Sequence, residues 1–173
     1  MHTLATTYMG LALKNPIIVG ASGLTGSVEQ VRDCEAAGAG AVVLKSIFEE
    51  QIQRELLSES TFAHPEAADY ILAYGRENAI EEYLALIRGA KAAVSIPVIA
   101  SVHCSSASGW TEFAARVEEA GADALELNVF LPPTDYRRDS RSFEDAYLAI
   151  ARSVKAQAKI PVAMKIGPYF TSL

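Results

Sequence analysis

The sequence predicts an α/β fold, specifically a (β/α)8 TIM barrel of which the chain supplies about five βα units. Three observations carry this. Five short apolar segments, Ile17–Ala21, Ala41–Lys45, Pro97–Val102, Ala124–Val129 and Pro161–Ile166, are nearly continuous in hydrophobicity rather than alternating. That is the pattern of parallel strands covered on both faces. Stretches of helical period separate them, a rhythm that implies βα units. The chain also repeats itself: EAAGAGAVVLKS (Glu35–Ser46) parallels EEAGADALELNV (Glu118–Val129), and SIPVIASV (Ser95–Val102) parallels KIPVAMKI (Lys159–Ile166). A recurring two-strand module suits a closed barrel in which every strand faces one axis. An open doubly wound sheet is the alternative architecture for five such strands.

The helices follow in order. Ser27 with Gln30 forms a capping box that opens a helix through Val28 and Val31 to Ala37, and Gly38 stands where a C-terminal cap belongs. Phe48, Ile52 and Leu56 suggest a short helix, and Ser58 to Asp69 a polar connection. Ile80, Tyr83, Leu84 and Ile87 make an amphipathic stripe. Trp110, Phe113, Val117 and Ala120 make another, stopped by Gly121. Ser142 is expected to cap a fourth helix, with Asp145 at its third position and Tyr147, Ile150 and Val154 facing inward. The interval from Ser46 to Ala93 exceeds what one helix needs, and an excursion after a strand's C-terminal end would cover the barrel mouth.

The chain has 173 residues, half of them hydrophobic and 21% charged, with a net charge of −6. It can bury a core, and it lacks the basic surface that nucleic acid or an anionic membrane would require. Its apolar runs fall far short of the roughly 20 residues that span a bilayer. With no basic segment leading into an apolar one at the N-terminus, a cytoplasmic protein is expected. Cys34 and Cys104 make neither a disulfide framework nor a zinc site. A small-molecule substrate, with homo-oligomerisation open, is the expected partner. A barrel of this kind runs to about 250 residues, so residues 1–173 read as the N-terminal part of a single domain.

Strand C-terminal ends in a barrel carry its chemistry. In order they are Ala21-Ser22-Gly23, Lys45-Ser46, Ser101 to Cys104, Glu126 to Asn128, and Lys165. Lysines ending apolar strands must meet an anion or a hydrogen-bonding group unless they snorkel to water. One such lysine favours the solvated reading; Lys45 and Lys165 in equivalent positions favour a site. His103 and Cys104 follow a strand to the same mouth, and both residue types can accept a proton. Each also has an ordinary reading, a loop histidine and a small buried thiol. Cys34, inside a helix, reads as packing.

Four segments taken together, NPIIVGASG (Asn15–Gly23), AGAGAVVLKS (Ala37–Ser46), LELN (Leu125–Asn128) and PVAMKIGPYF (Pro161–Phe170), resemble the FMN-dependent dihydroorotate dehydrogenases. The leader TTYMGLALKNP (Thr6–Pro16) is similar to that family's hairpin closing the barrel floor. The resemblance runs the length of the chain but covers only the N-terminal half to two-thirds of a family member. It implies a flavin-dependent dehydrogenase of pyrimidine biosynthesis that oxidises dihydroorotate to orotate. By the resemblance, Ala21, Ser22 and Gly23 line the flavin and Lys45 sits near its pyrimidine end, with Ser46 hydrogen-bonding beside it. Asn128 binds flavin or substrate, and Lys165 reaches a ring carbonyl or the ribityl chain.

Two departures stand against the matches. Where the family continues Asn-x-Ser-(Cys or Ser)-Pro-Asn, this chain reads NVFLPPTD, placing Leu131 at the base position and Pro133 at the substrate-binding asparagine. Leucine takes no proton, so the substrate is open and His103 or Cys104 are the substitute bases to consider. Loops after strands seven and eight hold the phosphate in such barrels, so this chain by itself is expected to hold FMN weakly or not at all. Two other readings remain: a Schiff-base lyase using Lys45 or Lys165, and a non-catalytic half-barrel pairing with itself through edge strands.

Overall fold

The computed structural model describes residues 4–48, 65–103, 107–131 and 137–167. A hairpin of β1 (Thr6–Tyr8) and β2 (Leu11–Leu13) comes first. Tyr8 opposes Leu11 across a two-residue turn in which both Met9 (φ 51°) and Gly10 (φ 84°) lie in the left-handed region, the requirement of a type I′ connection. Next come β3 (Ile18–Val19), a 3₁₀ turn (Gly23–Thr25), α1 (Val28–Ala36), β4 (Ala41–Val43) and β5 (Ile47–Phe48). The chain then runs through α2 (Pro65–Ala93), β6 (Val98–His103), α3 (Ala107–Glu119), β7 (Ala124–Asn128), α4 (Ser140–Lys155) and β8 (Val162–Lys165).

All pairings among β3 to β8 are parallel, in the order β3-β4-β6-β7-β8, and β5 takes over from β4 along the same edge of β6. The sheet curls into a half-barrel, as the five-unit expectation requires. Strand alternation separates two sets of apolar residues. Val42, Leu44, Val98, Ala100, Val102, Leu125 and Leu127 face outward into one core with Ile80, Ile87, Phe113 and Val117 of the covering helices. Val43, Ile99 and Ala124 face inward, where Met9 and Leu11 of the hairpin pack against them. The hairpin therefore floors the barrel interior, as the leader sequence implies.

The internal repeat has a mechanical basis. In the first copy, Glu35 near the end of α1 accepts hydrogen bonds from Ser95 N–H (2.8 Å), Ser95 hydroxyl (2.6 Å) and Ile96 N–H (3.2 Å). In the second, Glu118 near the end of α3 accepts from Lys159 N–H at 2.8 Å. Each glutamate thus fixes the loop entering the next Ile-Pro-Val strand. Gly38 (φ 100°) and Gly121 (φ 91°) terminate the two helices as glycine caps. The copies diverge at Gly40 and Asp123. A Cβ at Gly40 would collide with the backbone carbonyl oxygen of Asn15. Asp123 instead has room to accept from Val98 N–H and Lys91 Nζ, both at 2.7 Å.

Several expectations need correction. The fourth helix begins at Ser140, not after Ser142: Asp139 is the N-cap and its carboxylate accepts from Ser142 N–H at 2.8 Å. Aspartate is as good a cap as serine and stands one turn earlier. Phe48 lies in β5, because β6 runs on past the end of β4 and leaves an edge for Ile47 and Phe48 to pair. The stretch from Pro65 to Asp69 is helical, with proline at the first position of α2, where its missing N–H costs nothing. Ser27 does cap α1, accepting from Gln30 N–H, but Gln30 returns its side chain to Gly26 N–H rather than to Ser27. Ile52 and Leu56 lie outside the described residues.

Candidate functional site

The inner face of the sheet changes character from floor to mouth. Above the apolar layer of Val43, Ile99 and Ala124 come Ser101, Glu126 and Ala163, in register across β6, β7 and β8. One step higher stand Phe48, paired with His103, and Asn128, paired with Lys165. Polar side chains in the middle of apolar strands must find partners, and here they find each other. Ser46 and Ser101 hydroxyls lie 2.8 Å apart, Ser101 donates to Glu126 Oε1 at 2.8 Å, and Lys165 Nζ donates to the same oxygen at 2.9 Å. Ser46 from the β4–β5 break, Ser101 of β6, Glu126 of β7 and Lys165 at the end of β8 form one hydrogen-bonded chain. Ser101 is fully buried, Glu126 keeps 16% of its side chain exposed, and Lys165 is the open member, with 43% exposed.

A break in strand pairing puts Ser46 there. The β4–β6 ladder closes with Leu44 N–H donating to Ile99 C=O, and pairing resumes at Ile47. Between them the chain swings out, and Lys45 N–H donates to Thr25 C=O at 3.1 Å. Ser101 is left without a β4 partner at that step. The hydroxyl of Tyr83, from α2, fills the gap, accepting from Ser101 N–H (2.8 Å) and donating to Ser101 C=O (2.9 Å). Burial, with the negative charge of Glu126, pushes the Tyr83 phenol above its usual range, so it stays a neutral donor.

The sequence-predicted residues fall into two adjoining groups. Ala21 packs against the inner floor, and Ser22 caps the 3₁₀ turn by accepting from Leu24 N–H at 3.2 Å. Gly23 is open, a Cβ there meeting nothing within 4 Å. Lys45 is exposed and its stem runs beside Gly26, the added Cβ of which would sit 3.4 Å from Lys45 Cδ. Ser46, Asn128 and Lys165 form the second group with Ser101 and Glu126. Lys45 and Ser46, adjacent in the chain, join the two. His103 sits above Ser101 on the same face, its Nδ1 2.6 Å from Asn128 C=O. Cys104 and Pro133 lie outside the described residues. Leu131 turns toward the helix-side core, and its N–H donates to the Tyr147 hydroxyl at 3.1 Å. Cys34 packs against the same core, as expected. Ser101 and Glu126 stand among the strand-end residues of the sequence reading and Tyr83 in a helical stripe, but none of the three is given a site role there. Glu126 had a signal, a carboxylate in the apolar strand ALELN; Tyr83 looked like one more stripe residue.

The dihydroorotate dehydrogenase family model matches residues 3–173. The chain belongs to this family. Among curated dihydroorotate dehydrogenases, the catalytic subunit of the NAD(+)-type B enzyme from Thermoplasma volcanium is 30% identical, over 100% of this chain and 57% of its own length. The corresponding subunit from Methanocella arvoryzae is 33% identical over 95% of this chain and 53% of its own. The chain thus spans a little over half the length of these relatives. Family membership supports the oxidoreductase class and the barrel architecture.

Two solved structures share the fold. Dihydrodipicolinate synthase from Bacillus clausii superposes with a TM-score of 0.54 at 15% identity, covering 90% of this chain and 46% of that one. A phosphonopyruvate hydrolase superposes with a TM-score of 0.50 at 14% identity, covering 88% and 48%. At such identity these likenesses report barrel geometry alone, and they lend the Schiff-base reading of Lys45 or Lys165 no chemical support. No described helix is long and apolar enough to cross a membrane, and no group of acidic, histidine and cysteine side chains among the described residues is arranged to hold a metal ion.

Proposed function

We propose that this chain forms the flavin-facing half of an FMN-dependent oxidoreductase of the dihydroorotate dehydrogenase type, acting on a reduced cyclic amide. The observation that supports this reading is the Ser46–Ser101–Glu126–Lys165 chain with Asn128 beside it, on the C-terminal half of the inner sheet face in a member of this family. The donor set fits FMN. The ring system presents carbonyl and imide groups, and this face offers an ammonium, an amide and hydroxyls. The space at Gly23 lets a flat ring approach backbone.

When bound, FMN supplies a hydride acceptor. The protein's part is placement and charge. Glu126 anchors Lys165 Nζ and so orients it toward the ring edge or ribityl chain. Lys45, on the rim beside Gly26, brings positive charge to the pyrimidine end, where negative charge collects on reduction. Asn128 donates or accepts at the polar edge of flavin or substrate. Leu131 offers no proton acceptor and faces the helix-side core, so the proton must leave by another group and dihydroorotate is not the required substrate.

A fluorescence titration of FMN with the wild-type chain and with Lys165→Met tests the reading. With the ring face but not the phosphate loops to hold it, FMN is expected to give weak but saturable quenching with wild type and at least about tenfold weaker binding with the variant, a loss of about 1.4 kcal/mol or more. Equal binding by both proteins, or no binding at millimolar protein, contradicts it.

A further inference from the structure

We propose that His103 is the proton acceptor at this mouth, taking the place that Leu131 cannot fill. The inference rests on the flavin reading above and adds to it the group that removes the substrate's carbon-bound proton.

The geometry fixes the tautomer. Nδ1 of His103 lies 2.6 Å from the backbone carbonyl oxygen of Asn128. A carbonyl oxygen only accepts, so Nδ1 carries the hydrogen and donates it. In the neutral ring the lone pair is then on Nε2, which has no hydrogen-bond partner among the described residues. The ring is also held in place. Phe48 lies against it with centroids 5.2 Å apart, and Trp110 meets it edge-on at 6.2 Å. A histidine that only filled space would not need its tautomer set by a short bond from the strand carrying Asn128.

Position agrees with role. Ile99, Ser101 and His103 alternate along β6 onto the inner face, from the floor through the polar chain to the mouth. His103 therefore tops the column whose lower member contacts Glu126, and its bond to Asn128 ties it to the residue paired with Lys165. Substrate held beside Asn128 and Lys165 would lie at the same end of the sheet as this ring.

The step balances as follows. The C–H bond α to a ring carbonyl breaks, and its proton forms the N–H bond at Nε2, giving imidazolium. The electron pair left behind becomes the new C=C bond as the neighbouring carbon gives up hydride to the flavin oxidant. Proton removal at an α-carbon can be followed without the hydride step, as deuterium entering substrate from D2O.

The experiment incubates wild type, His103→Gln and Lys165→Met with dihydroorotate or dihydrouracil in D2O, and reads deuterium at the α-carbon by NMR. FMN binding is measured in parallel. Wild type is expected to exchange one of these dihydropyrimidines faster than buffer, with His103→Gln slower by about 100-fold or more while binding FMN like wild type. A 15N-labelled sample should show His103 protonated at Nδ1 and bare at Nε2. Equal exchange by wild type and His103→Gln, no exchange above buffer by wild type, or the opposite tautomer overturns the proposal. Exchange that depends on His103 in a protein that does not bind FMN upholds the base and removes the flavin reading instead.

Discussion

Tyr83 shows how much one hydroxyl can hold. It makes both hydrogen bonds of the Ser101 backbone at the one step where β4 leaves β6. Tyr83→Phe keeps the ring's packing and strands a buried N–H and C=O, which should cost about 1–3 kcal/mol in a denaturant melt. The pH dependence has a definite sign. The folded-state phenol is raised, so its contribution is complete below the unfolded value of about 10 and declines as pH rises above it. Wild type should therefore lose stability in the alkaline range more steeply than Tyr83→Phe; parallel alkaline curves would contradict this. Glu126 has the complementary duty toward Lys165. Glu126→Gln keeps the shape and can still accept from Ser101, but it removes the charge that anchors the ammonium. Lys165 should then be trinitrophenylated severalfold faster than in wild type, and an unchanged rate would mean Glu126 does not hold it.

At the scale of elements, the glutamates ending α1 and α3 are the joints of the repeated module. The Ser95 hydroxyl, with the Ser95 N–H behind it, holds the Glu35 carboxylate below the usual range. A depressed carboxylate contributes stability above its unfolded value of about 4.3 and loses it as pH falls through the folded value. Glu35→Gln should flatten that acid limb, as followed by circular dichroism against pH; an unchanged limb would exclude Glu35 as its source. Gly40→Ala should destabilise by about 1–3 kcal/mol, because the Asn15 backbone must move to admit a methyl group. These joints also mark what the sequence made legible. The apolar strands, the stripe of Ile80, Tyr83, Leu84 and Ile87, and the Gly38 and Gly121 caps all follow from local chemistry. The β4–β5 break did not, because it depends on β6 being longer than its neighbour. The start of α4 was misplaced because Asp139 and Ser142 are both good caps, and only the fold shows which one the helix uses.

Across the whole molecule, the half-barrel gathers on one inner face residues that lie far apart in the chain, from Ala21 to Lys165. Parallel strands with a common register make this possible: Ser101 bonds both Glu126 on the neighbouring strand and Ser46, 55 residues earlier, in the β4–β5 break. The sequence revealed the lysines because charge at the end of an apolar strand is conspicuous. Their partners were harder to see, since serine in a strand carries no such signal, and because a glutamate's partner depends on which strand lies beside it. The described sheet ends at β3 and β8, and each end leaves an apolar groove beside its helix, one lined by Val19, Leu24 and Cys34, the other by Leu127, Val162 and Met164. The central claim concerns the inner face, not these outer grooves. FMN titrated into 15N-labelled protein and followed by amide chemical shifts tests it most directly. The account predicts perturbations confined to Ser22–Gly23, Lys45–Ser46, Ser101–His103, Glu126–Asn128 and Lys165. Perturbations centred on the outer grooves, or none at millimolar FMN, would contradict it.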